Sequence, residues 1–136
     1  MGIRSTQSMT VPIGAIDAER IAEFLQSSGE KWGARPDVIG HAKFNLAQSL
    51  ETIMEGCSPE GPLEVDATFD EFSLDIRVSY VGPLLELPER RPTNDEIMES
   101  EEGQRRFAGF MLRRMADRVS ASARSGRSTI TFHFDH

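Results

Sequence analysis

The chain has 136 residues, 27% of them charged and 38% hydrophobic, with a formal net charge of −7. That is length for one domain around one core, and the acidity excludes general nucleic-acid binding and docking on an anionic leaflet, both of which need an excess of Lys and Arg. Cys57 is the only cysteine, so no internal disulfide forms. Its place before Ser58-Pro59, with no His–acid pair beside it in sequence, reads as a structural thiol. No apolar run reaches the roughly 18–20 residues of a membrane span, and the first ten residues lack the apolar core of a signal peptide. Residues 1–9 read as a linker or leader, and 10–136 as one cytoplasmic domain.

Thr10 to Ile13 predicts a short edge strand, because Pro12 cannot donate to a ladder. Asp17 is placed to cap a helix bearing Ile21, Phe24 and Leu25, with Gly29 as its stop. After the connector Trp32 to Pro36, Asp37 is placed to cap the longest helix, Val38 to about Cys57. There Ile39, Ala42, Leu46, Leu50 and Ile53 form one apolar stripe at three- and four-residue spacing. Ser58 to Pro62 is turn chemistry. Leu63, Val65, Ala67 and Phe69 then alternate on one strand, and Phe72, Leu74, Ile76, Val78 and Tyr80 on the next, joined by Asp70-Glu71 as a hairpin.

Residues 82–102 read as a long irregular connection, a lid or an excursion. Thr93 with Glu96 suggests a capping box opening a short helix near Asn94. A further helix is expected from about Glu101 to Ala121. It would have Phe107, Phe110, Met111, Met115 and Val119 on one face and arginines 105, 106, 113, 114 and 118 on a solvated one. Arg124 to Arg127 turns into a last strand, Ser128 to Phe134. The pattern predicts an α+β, two-layer α/β sandwich, with helices on one face of a mixed or antiparallel sheet.

The long helix, the hairpin, the segment from Val78 to Leu84, the helix from Gly103 to Val119 and the closing strand together resemble the histidine-kinase-like ATPase fold, in the compact form of the anti-sigma-factor serine kinases. The resemblance spans about residues 10–134 and is topological. It implies a nucleotide cleft under the 82–102 lid, lined by Asn45, Gln48, Ser49, Thr52, Tyr80 and Gly82. In that family the long helix carries a Glu and, four residues on, an Mg²⁺-ligating Asn. Matching Glu55-Gly56 to the end of that motif puts Gln48 and Thr52 at these positions, and a register through Glu51 and Glu55 also lacks Glu followed by Asn. Gln cannot take a proton as a carboxylate does, and Thr is a poor sole Mg²⁺ ligand. Tyr80 stands where the family's adenine-reading Asp belongs, and Leu84 where its next glycine belongs. The resemblance therefore implies a degenerate, non-catalytic domain without ATP or Mg²⁺, its cleft collapsed around Tyr80 and Leu84.

Trp32 to Arg35, Phe69 to Phe72 and Phe132 to His136 are also similar to a domain at the C-terminal end of some bacterial uracil/xanthine permeases. That implies a regulatory or assembly role on the cytoplasmic face of a membrane carrier. The partner is then the carrier or another protein, with a homodimer left open. The alternatives are an ATP-binding serine kinase of the anti-sigma type and an unrelated α/β binding or dimerisation module. The histidines offer no zinc spacing: His41 stands alone, and His133 and His136 read as a frayed polar terminus. Asp66, Asp70 and Asp75, with Glu64 and Glu71, read as a solvated strand face rather than an acid–base pair.

Overall fold

The computed structural model describes residues 4–136; residues 1–3, part of the proposed leader, lie outside the described residues. Nine elements follow in chain order. They are β1 (Ser5–Val11), α1 (Ala18–Trp32), α2 (Pro36–Gly56), β2 (Leu63–Asp70), β3 (Ser73–Val81), α3 (Asn94–Glu99), α4 (Glu101–Met115), β4 (Arg118–Arg124) and β5 (Arg127–Asp135). The strands form one antiparallel sheet in the order β1-β2-β3-β5-β4. Its core face is the alternating set expected from the sequence: Leu63, Val65, Ala67 and Phe69; Leu74, Ile76, Val78 and Tyr80; Ile130, Phe132 and Phe134. The helices cover that face, with α2 between α1 and α4. The result is the two-layer α+β sandwich that the periodicity predicts.

The opposite face of the sheet is polar except at Val81, at the end of β3. One register row reads Thr6, Thr68, Asp75, His133 and Arg118 across all five strands. Here Ser8 donates to Asp66 at 2.6 Å, and His133 Nδ1 meets Asp75 at 2.5 Å. The hairpin carboxylates are thus engaged singly, as a polar face.

Several boundaries differ from expectation. The edge strand begins at Ser5, paired with Phe69, so residues 5–9 belong to the sheet. Helix α1 runs through Gly29 to Trp32 and ends on Gly33 in the left-handed region. Gly29 is a contact point rather than a stop: a Cβ there would lie 2.6 Å from Ile39 Cδ1, so its bareness lets α1 approach α2. Arg35, not Asp37, occupies the N-cap of α2; Pro36 at the first turn fixes the start with no side-chain cap. Phe72 is 73% exposed, because it falls in the β2–β3 turn. Asp70 organises that turn by accepting from the Phe72 and Ser73 amides at 2.8 and 2.9 Å. These bonds hold its carboxyl below the usual range.

The largest correction follows α4, which stops at Met115, after which the chain turns back as β4. The β4–β5 connection is a two-residue hairpin with Ser125 at φ 53° and Gly126 at φ 79°, the type I′ geometry suited to strand twist. The C-terminus is not frayed. His136 Nε2 accepts from the Arg35 amide at 2.9 Å, its Nδ1 donates to Glu71 O at 3.1 Å, and its ring meets Phe69 edge-on.

Candidate functional site

The six residues expected to line one cleft divide into three environments. Asn45 and Ser49 are fully buried. Asn45 Nδ2 donates to Leu112 O at 3.3 Å, tying α2 to the last turn of α4. Asn45 Oδ1 has no partner, and Ser49 Oγ turns back to Leu46 O. Gln48 and Thr52 line an open groove between α2 and α4, where Thr52 Oγ1 donates to Gln48 O at 2.7 Å.

Tyr80 and Gly82 lie at the base of the lid. The Tyr80 ring is fully buried. Its hydroxyl accepts from the Leu85 amide at 2.8 Å and donates to Pro83 O at 2.9 Å, with Cys57 Sγ 3.6 Å away. Burial raises the Tyr80 phenol far above its ordinary value, and burial likewise raises the Cys57 thiol, keeping both neutral. Gly82, at φ 153°, leaves room for Cys57 O, which a Cβ would approach to 3.2 Å. It is anchored on both sides, its amide donating to Gly126 O and its carbonyl accepting from Ser128 Oγ. Leu84, expected to fill the cleft, is 37% exposed; Leu85 and Leu87 are the buried residues.

The lid is fastened along its length. Arg113 Nε donates to Leu87 O at 2.8 Å, and Arg106 pairs with Glu86 at 3.4 Å. Gly109 of α4 has no room for a side chain, since a Cβ would stand 2.0 Å from Glu86 O. Helix α3 closes the N-terminus of α4. Ser100 Oγ accepts from the Gly103 amide at 2.9 Å, and a Cβ on Gly103 would fall 1.8 Å from Glu96 O. A free helix N-terminus attracts anions; this one is capped by its own chain and surrounded by Glu96, Glu99, Glu101 and Glu102.

The α2–α4 groove has a volume of about 350 Å³ and a mostly apolar lining. Phe44 on α2 and Met111 on α4 stand at it 58% and 44% exposed. Phe107, Met115 and Leu112 complete the apolar wall, and Gln48, Thr52 and Gln104 supply the polar groups. The sequence placed Met111, Phe107 and Met115 on an apolar helix face. It missed Phe44, whose only signal was an aromatic standing off the α2 stripe.

No family model and no curated protein matches the chain. Among solved structures, it is similar to a chain in the crystal structure of the SiaB–SiaC complex from Pseudomonas aeruginosa. The identity is 14% and the TM-score 0.55, covering 96% of this chain and 89% of that one. The likeness extends over nearly the whole sandwich and is one of fold. Among the described residues, no helix is long and apolar enough to cross a membrane, and no three His, Cys, Asp or Glu side chains gather as a metal site.

Proposed function

We propose that this chain is a non-catalytic regulatory domain of histidine-kinase-like ATPase architecture, which works in the cytoplasm by holding a protein partner in the α2–α4 groove. The observation that carries this reading is the Tyr80 hydroxyl, tied to both Pro83 O and the Leu85 amide. In the resemblance this is the adenine-reading position, and here it holds the lid instead. Gln48 and Thr52, at the positions for catalytic Glu and Mg²⁺-ligating Asn, supply neither a carboxylate base nor a competent ligand pair. The capped, acidic start of α4 disfavours a triphosphate. What stays open is an apolar groove with protruding Phe44 and Met111, the kind of surface that takes a partner helix. The structural neighbour was crystallised within a two-protein complex, which is in keeping with this role. Attachment to a nucleobase permease, the finer expectation, draws no support from the fold or the comparisons.

Two measurements test the reading. Calorimetric titration with Mg-ATP and Mg-ADP is expected to show no binding at about 1 mM, roughly −4 kcal/mol. A dissociation constant below about 100 μM, roughly −5.5 kcal/mol, would replace it with the serine-kinase reading. Capture from host extract with the wild-type chain and with Phe44→Glu/Met111→Glu is expected to show a protein held by the first and lost from the second. A partner retained by the double variant would move the contact elsewhere.

A further inference from the structure

The two edges of the sheet are not alike. At β1, Val11 is buried and Met9 is packed on the core, with α1 alongside, and Pro12 ends the strand. Strand β4 is covered only near its start, where Val119 packs on the core. Six of its seven residues are exposed, and β5 is its one strand neighbour. Ala121 and Ala123 point to the helix side of the sheet, opposite Ile130 and Ser128, yet both are exposed because the helix layer does not extend over them. An open edge strand presents a row of backbone donors and acceptors and is normally blunted by charged side chains, proline or a bulge. In β4 charges stand only at the two ends, and no proline or bulge interrupts it, its register with β5 being unbroken from Arg118 to Arg124.

The charge on this edge is opposite to that of the chain. Arg118 and Arg124 bound the strand, and neither has an ion-pair partner among the described residues. Arg118 is placed by a contact of 3.0 Å to His133 Nε2, a nitrogen that also lies 3.0 Å from Asp135. Arg124 stands directly opposite Arg127 in the register. Like charges directly opposite each other destabilise a strand pair, and the Glu64 carboxylate 3.0 Å from Arg127 serves only one of them. In a molecule of net charge −7, an open strand edge with one arginine of a facing pair left without a carboxylate fits an anionic partner.

We propose that the outer edge of β4 is a β-augmentation site: an extended, acidic segment of a partner protein adds as a sixth strand, its carboxylates meeting Arg124 and Arg118. Main-chain pairing supplies the affinity and the two arginines select the sign of charge. A second copy of this chain is disfavoured, since β4 paired antiparallel on itself about Ala121 sets Arg118 against the other copy's Arg124. The site is separate from the α2–α4 groove and does not depend on what the groove holds.

The test uses the full chain, ¹⁵N-labelled, and two blocked seven-residue peptides of alternating threonine and valine, one ended by glutamates and one by lysines. The glutamate-ended peptide is expected to shift the amides of residues 118–124 and to slow their hydrogen exchange. It should bind about tenfold more tightly than the lysine-ended one, the yield of two exposed ion pairs. Arg124→Glu, at a residue with no side-chain partner to lose, trades one attraction for one repulsion and is expected to cancel that preference. Adding Arg118→Glu should reverse it. Phe44→Glu/Met111→Glu should leave all of this unchanged, which separates failure here from failure of the groove. Equal response to both peptides, shifts confined to the groove or to β1, or no response along β4 would each overturn the proposal.

Discussion

Tyr80 shows how one side chain can fasten a connecting segment to the sheet. Its alternating position on β3 made it legible as a core residue, and the resemblance marked it as a departure at the adenine position. What the sequence could not show is that the hydroxyl reaches forward to both Pro83 and Leu85. That depends on the tight turn at Gly82, which spacing does not reveal. Tyr80→Phe keeps the ring and removes the bridge, leaving the Leu85 amide without its acceptor. A buried donor so stranded costs about 1–3 kcal/mol. Urea unfolding should show that loss, and hydrogen exchange should show it concentrated at Leu85 and its neighbours. A neutral substitution would mean that the lid is held from α4 alone.

Among the elements, the helices and the central strands were legible because burial leaves a period in the sequence. Strand β4 was hidden by an overlap of two periods. Its Val119, Ala121 and Ala123 alternate with Arg118, Ser120, Ser122 and Arg124, but alanine and serine mark a strand weakly, and Val119 also continues the four-residue spacing of Met111 and Met115. Reading α4 on to Ala121 followed from that overlap. Gly29 misled differently, since a glycine needed for helix–helix approach looks in sequence like one that ends a helix. A paired substitution separates such packing from propensity. Gly40 in α2 and Gly109 in α4 both sit in helices, where alanine is favoured by roughly 0.5–1 kcal/mol. A Cβ at Gly40 meets nothing within 4 Å, so Gly40→Ala should raise stability by about that amount. At Gly109 the Cβ runs into Glu86 O, so Gly109→Ala should cost about 1–3 kcal/mol as the 83–88 segment is pushed off α4. Thermal melts of the two variants should therefore move in opposite directions. Movement in the same direction would mean that the lid backbone yields freely.

For the whole molecule, the sandwich could be read from the sequence, but the site could not be read as a place. Of the six residues assigned to one cleft, only Gln48 and Thr52 line the α2–α4 groove, because Asn45 and Ser49 fall on the buried side of α2. Phe44 comes to that surface through the same packing. Large apolar side chains left in water on an otherwise acidic, well-buried fold contribute little to folding, and this gives the groove a test independent of any partner. Phe44→Glu/Met111→Glu should change unfolding free energy by no more than about 0.5 kcal/mol per site, the range of ordinary surface substitutions. The same double substitution should abolish partner capture. Stability and binding would then separate, as they do where a surface is kept apolar for contact. If the variant instead loses several kcal/mol in urea unfolding, the two side chains belong to the core of the helix layer, and the groove is a packing defect rather than a docking site.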